Sequence, residues 1–137
     1  MRDASPSTIF LKDYQVPAFL IDTTDLAFEL HETETIVTAT LSLRRNPEGA
    51  SVDSLQLDGQ GLELLEIAID GAELPASSYS LNDQGLVLHA PPEAFELVTR
   101  VRIHPQDNTS LEGLYKSRTM FCTQCEAEGF RKITYYL

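Results

Sequence analysis

From Thr35 to Leu43 the chain reads TIVTATLSL, and its side chains alternate with a period of two. Val37, Ala39, Leu41 and Leu43 fall on one face, and Thr38, Thr40 and Ser42 on the other. This is the signature of an extended strand with one buried face, because successive Cβ atoms of a strand point to opposite sides. The preceding DLAFEL repeats the pattern, with Leu26, Phe28 and Leu30 opposed to Ala27 and Glu29. Both stretches are expected to be half-buried strands, and the HETET between them the turn of an antiparallel hairpin.

The alternation recurs along the chain. After the RRNPEGAS loop, Leu55 and Leu57 alternate and DGQG turns the chain. In LELLEIAI the phase slips: Leu62 and Leu64 share one face, and Leu65, Ile67 and Ile69 the other. A β-bulge near Leu64 and Leu65 accounts for the slip, with a short helix as the alternative. SYSLND and GLVLHA flank the hairpin signal NDQG. In FELVTRVRIHP, Phe95, Leu97, Val101 and Ile103 share a face opposite Arg100 and Arg102. No segment carries a sustained 3.6-residue stripe. The expected fold class is all-β, an antiparallel sandwich or barrel-like domain. Residues 1–16 mix Ser, Pro and charge around Ile9, Phe10 and Leu11 and read as a loose lead-in, leaving residues 17–137 as a single β-rich domain.

A formal net charge of −11 argues against nucleic acid and against an anionic membrane surface, both of which need clustered Lys and Arg. No stretch approaches the roughly 20 apolar residues of a membrane span. The opening MRDASPSTIF lacks the apolar run of a secretory signal, and the chain has two cysteines, so a reducing cytoplasm is expected.

Chemistry is sought first in FCTQCEAEGFRKITYYL, residues 121–137. A structural zinc site needs four ligands, and Cys122 and Cys125 have no second pair; His31, His89 and His104 are scattered upstream. A thioredoxin-like redox pair needs a βαβ setting that this chain does not offer. Two reduced, mostly buried small residues are the expected state. His31-Glu32 opens like H-E-x-x-H, but position 35 is threonine. On an extended strand Glu126 and Glu128 would point to one face, needing compensation from Arg131 or Lys132 or from a bound ammonium group.

Two runs go further. NTSLEGLYKS (108–117) and CTQCEAEGFRKITYYL (122–137) resemble the N-terminal domain of the bacterial aminopeptidase N family, zinc metallopeptidases of the gluzincin type. KDYQVPAFLIDTTDLAFEL resembles the same family's opening, while the resemblance is faint over 46–100. It implies a saddle-shaped, β-rich, non-catalytic module that packs on the catalytic domain of the same polypeptide. It implies that Glu126 binds the free α-amino group of a peptide substrate and that Gln124 lines the pocket near the first residue. Glu128, Arg131 and Tyr136 match the family without an implied role. The zinc of that family is bound beyond this stretch, so no catalytic residue, no metal ligand and no cofactor is expected in this chain. The chain is expected to be a bacterial, cytoplasmic fragment inactive on its own, with an apolar surface open to its missing neighbour or to self-association. The alternative is a stand-alone β-sandwich module that binds a protein or peptide through an acidic face.

Overall fold

A computed structural model describes residue 8 and residues 10–137. The first part of the lead-in expected over residues 1–16 therefore lies outside the described residues. Within the rest of it, Leu11–Asp13 forms a single 3-10 turn that buries nothing.

Ten strands follow: β1 (Phe19–Leu30), β2 (Thr35–Arg45), β3 (Ser54–Asp58), β4 (Glu63–Ile69), β5 (Ala72–Glu73), β6 (Tyr79–Asn82), β7 (Gly85–His89), β8 (Ala94–Ile103), β9 (Gly113–Ser117) and β10 (Met120–Gln124). They form an antiparallel five-stranded sheet in the order β1-β2-β8-β4-β5, a three-stranded sheet β3-β7-β6 and the hairpin β10-β9. The all-β expectation holds. Val37, Leu41, Leu97 and Val101 of the larger sheet share one core with Leu55, Leu57, Leu86 and Leu88 of the smaller. Leu114, Ile133 and Tyr135 close that core from the C-terminal side.

The alternation was a reliable guide in the middle strands. In β8, Phe95, Leu97, Thr99, Val101 and Ile103 are buried, while Arg100 and Arg102 face outward. There each arginine sits between two carboxylates. Arg100 lies 3.4 Å from Glu29 and 3.8 Å from Glu66, and Arg102 lies 3.0 Å from Glu63 and also contacts Glu34. The expected bulge is present, as a register shift between Leu64 and Glu66 against β8. NDQG closes the β6–β7 hairpin through Asn82↔Gly85, with the Asn82 side chain accepting from the Gln84 and Gly85 N–H groups.

Two expectations need correction. Leu26 is partly buried, but Phe28 and Leu30 are 41% and 48% exposed, so the apolar face of β1 is not half-buried along its length. Their partners across the sheet, Val37 and Thr35, are fully covered. The inner layer therefore reaches β2 and stops short of the far half of β1. The second correction concerns residues 126–132, which are not extended: a turn over Glu126–Glu128 leads into a 3-10 helix, Gly129–Lys132. Glu126 and Glu128 do not share a strand face.

Candidate functional site

β9 and β10 pair from Ser117↔Met120 at the tip to Gly113↔Gln124 at the root. The root is fixed from both sides. Upstream, the Asn108 amide donates to the carbonyls of Glu112 (2.7 Å) and Leu114 (2.9 Å) and accepts from the Ser110 N–H and hydroxyl. Downstream, the Gly129 N–H donates to the Cys125 carbonyl at 2.8 Å and closes the Glu126–Glu128 turn. Gly129 lies against the hairpin so tightly that a Cβ there would stand 2.3 Å from the Gln124 carbonyl oxygen and 2.9 Å from the Gly113 nitrogen. Only a residue without a Cβ permits that approach.

Gln124 is the last residue of β10, and Glu126 is the first of the turn. Both are exposed. The Glu126 N–H donates to the Gln124 side-chain oxygen at 3.2 Å, so the two residues are brought together. The Glu126 carboxylate forms no ion pair among the described residues, whereas Glu128 lies 3.3 Å from Arg131. Arg131 also lies 3.9 Å from Asp58. The compensation expected from Arg131 thus goes to Glu128 and leaves Glu126 open.

The remainder of the segment ties the site to the sandwich. Phe130 and Tyr136 meet edge to face at 4.9 Å. Tyr136 exchanges backbone hydrogen bonds with Asp58 of β3, at 2.7 and 3.1 Å. Lys132 reaches back to Glu112 at 2.8 Å and to Ser110 at 3.2 Å. That hydrogen bond, and then the ammonium charge, hold the Glu112 carboxyl below its usual value of 4.5. A depressed carboxyl stabilises the fold above its unfolded pKa, and the contribution is lost as the pH falls through the folded value. Lys132→Gln should therefore lower the urea midpoint at neutral pH, with the gap to the unsubstituted chain closing in acid. A gap independent of pH would show that Lys132 acts through packing alone.

A groove of about 290 Å³ is lined by Gln60, His104, Asp107, Asn108 and Lys132. A cleft of about 120 Å³ lies between Asp58, Glu128, Arg131 and Tyr136. Neither is lined by Gln124 or Glu126. Cys122 and Cys125 are free thiols and half-buried, less covered than expected; Cys125 packs against the core. Among the described residues no three His, Cys, Asp or Glu side chains stand together to hold a metal. The residues missed in the sequence are Asn108, Gly113 and Gly129. Asn108 and Gly113 lie in one of the resembling runs and Gly129 in the other; the Asn108 contacts reach only two to six residues along the chain, whereas the fit of Gly129 against Gly113 joins positions 16 apart.

No family model matches the chain. It is 48% identical over 136 residues to an aminopeptidase N of Caulobacter vibrioides, a match covering 99% of this chain and 16% of that protein. It is 42% identical to an aminopeptidase N of Escherichia coli, covering 96% of this chain and 15% of that one. The chain thus spans about a sixth of the curated relatives it matches. Among solved structures, the aminopeptidase A of Legionella pneumophila in complex with aspartic acid superposes with a TM-score of 0.84 and 25% identity, over 92% of this chain and 15% of that one. An M1 zinc metallopeptidase from Deinococcus radiodurans shares the fold at a TM-score of 0.68 and 14% identity, over 89% of this chain and 30% of that one.

Proposed function

We propose, on the premise that this chain is an N-terminal domain of the bacterial aminopeptidase N type, that it recognises the free amino terminus of peptides for a zinc-dependent aminopeptidase. The module runs over residues 17–137, with residues 1–16 as its lead-in, and works in a bacterial cytoplasm. The observation that carries the reading is the pairing of Gln124 with Glu126 at the root of a hairpin clamped by Gly129, with the Glu126 carboxylate in no ion pair among the described residues.

An exopeptidase must tell a terminal ammonium from an interior amide. A fixed carboxylate gives the ammonium a charge-assisted hydrogen bond. Facing an interior amide in a closed pocket, the same carboxylate would be left buried and unpaired, which is costly. Gln124 offers an amide beside it to meet the first residue. Neither side chain lines the two clefts described above, and the opposite wall of the pocket is assigned to the catalytic part of the polypeptide. Zinc held there supplies the activation of water and the polarisation of the scissile carbonyl. No three His, Cys, Asp or Glu side chains stand together among the described residues, and no metal step is assigned to them.

Two measurements test this. The chain alone, given zinc and an aminoacyl chromogenic substrate, should show no turnover above a chelator-treated control. In a polypeptide that includes the catalytic part, Glu126→Ala should lower kcat/KM on peptides with a free amino terminus. An unchanged kcat/KM removes Glu126 from the site.

A further inference from the structure

We propose that the groove between Gln60 and the turn at Pro105–Asp107 binds a small primary amine, a protonated amino group on a short apolar body. This does not rest on the roles of Gln124 and Glu126, neither of which lines the groove. Three segments meet there. β8 ends at Ile103, and a 3-10 helix, Pro105–Asp107, follows. The turn after β3 brings up Gln60, whose N–H donates to the Arg131 carbonyl at 2.9 Å. The last residue of the Gly129–Lys132 helix supplies the third wall.

The open polar groups of this groove are acceptors. A 3-10 helix has three residues per turn, so positions three apart come to the same side. His104, the N-cap of the turn, and Asp107, its last residue, accordingly both line the groove. His104 Nδ1 lies 3.1 Å from the Thr33 carbonyl, to which the Gln106 amide also donates. A carbonyl oxygen only accepts, so Nδ1 carries the proton, and Nε2 of the neutral ring keeps an open lone pair. The Asp107 carboxylate forms no ion pair and accepts no side-chain hydrogen bond among the described residues, and the Gln60 amide is equally unengaged. Lys132 does not answer them. Its ammonium is held by Glu112 at 2.8 Å and by Ser110 at 3.2 Å.

The Asp107 carboxylate, His104 Nε2 and the Gln60 amide oxygen match the charge and the three N–H donors of an ammonium group. Ile103 and Leu114, only 5% and 6% exposed, give the groove an apolar floor, which suits an alkyl body and not a hydrated metal ion. The volume of about 290 Å³ is at the low end for small-molecule sites and selects a body of a few carbons. The net charge of −11 draws cations to the surface. An anion fits less well: it would face Asp107, and Lys132 already has two of its N–H donors engaged.

Calorimetric titration of the chain with isopentylamine provides the test. A Kd of about 1 mM or tighter is expected, within the ceiling for so small a ligand. Asp107→Asn should weaken binding by about tenfold or more, and His104→Ala by several-fold. Isovalerate has the same body with a carboxylate, and isopentyltrimethylammonium has the charge without N–H donors. Each should bind about tenfold or more weakly than the amine, and equal binding of either overturns the proposal. Glu126→Ala should leave the titration unchanged. If binding is lost in that variant and kept in Asp107→Asn, the amine belongs at Glu126 and the groove is not its site. A second measurement needs no substitution: the amide resonances of Gln60, Gly61 and Asp107 should move with added amine, while those of Tyr79–Asn82 stay in place. No movement up to about 10 mM, ten times the expected Kd, overturns the proposal. So does movement of the same resonances with Zn²⁺ and none with the amine, which would make the groove a metal site.

Discussion

In a polypeptide carrying both this domain and the catalytic part, Glu126→Ala should lower kcat/KM for peptides with a free amino terminus by about 100-fold. A hydrogen bond to a charged group contributes about 1.5–3 kcal/mol, and each 1.4 kcal/mol is tenfold, so the upper half of that range gives this loss. Glu126→Gln keeps an acceptor oxygen but removes the charge, so it should fall between the two, nearer about tenfold. The loss should be confined to chemistry. Glu126 is exposed and has no ion pair among the described residues, so its removal should leave the unfolding midpoint in place. N-acetylated peptides supply the internal control. Without an ammonium they gain nothing from the carboxylate, so the difference between free and blocked substrates should narrow in Glu126→Ala. An undiminished preference for free amino termini would move the recognition of the ammonium to another residue.

Why some of this was legible in the sequence and some was not follows from the range of the interactions. Val37, Leu41, Leu97 and Val101 announce their burial because a strand writes its two faces into every second residue. The bulge of β4 was visible for the same reason, as a slip in phase between Leu64 and Leu65. Phe28 and Leu30 misled because alternation marks which face of the sheet a side chain takes. It says nothing of whether a second layer reaches that far, and here the layer ends at β2. Residues 126–132 misled in another way. Glu-x-Glu spacing is neutral between strand and turn, and what decides it is the Gly129 N–H bonding back to Cys125 and the fit of Gly129 against Gly113. That fit joins residues 16 apart in sequence, beyond any local pattern. The candidate site itself came from resemblance, since one glutamine and one glutamate at this spacing have no signature of their own.

Gly129→Ala should be among the most damaging single-methyl changes in the chain, and it separates the clamp from the side chains it holds. The added Cβ would stand 2.3 Å from the Gln124 carbonyl oxygen and 2.9 Å from the Gly113 nitrogen. Both are backbone atoms of a paired strand end, so neither can rotate away, and the 3-10 helix must lift from the hairpin root. Overpacking of this kind costs about 1–3 kcal/mol or more. The movement also carries Glu126, whose turn is closed by the Gly129 N–H. A displacement of about 1 Å at a positioning group can cost on the order of 100-fold in rate, so activity in the longer polypeptide should fall as far as it does in Glu126→Ala. Gly61→Ala is the matched control. Gly61 has a φ of +68°, and no atom lies within 4 Å of where its Cβ would stand, so the change introduces backbone strain of about 1 kcal/mol and no collision. It should cost stability and spare activity. If Gly129→Ala behaves like Gly61→Ala in both measurements, the hairpin root tolerates the methyl and the clamp does not set the position of Glu126. If it loses stability but keeps full activity, the turn carrying Glu126 is held by the catalytic part of the polypeptide instead.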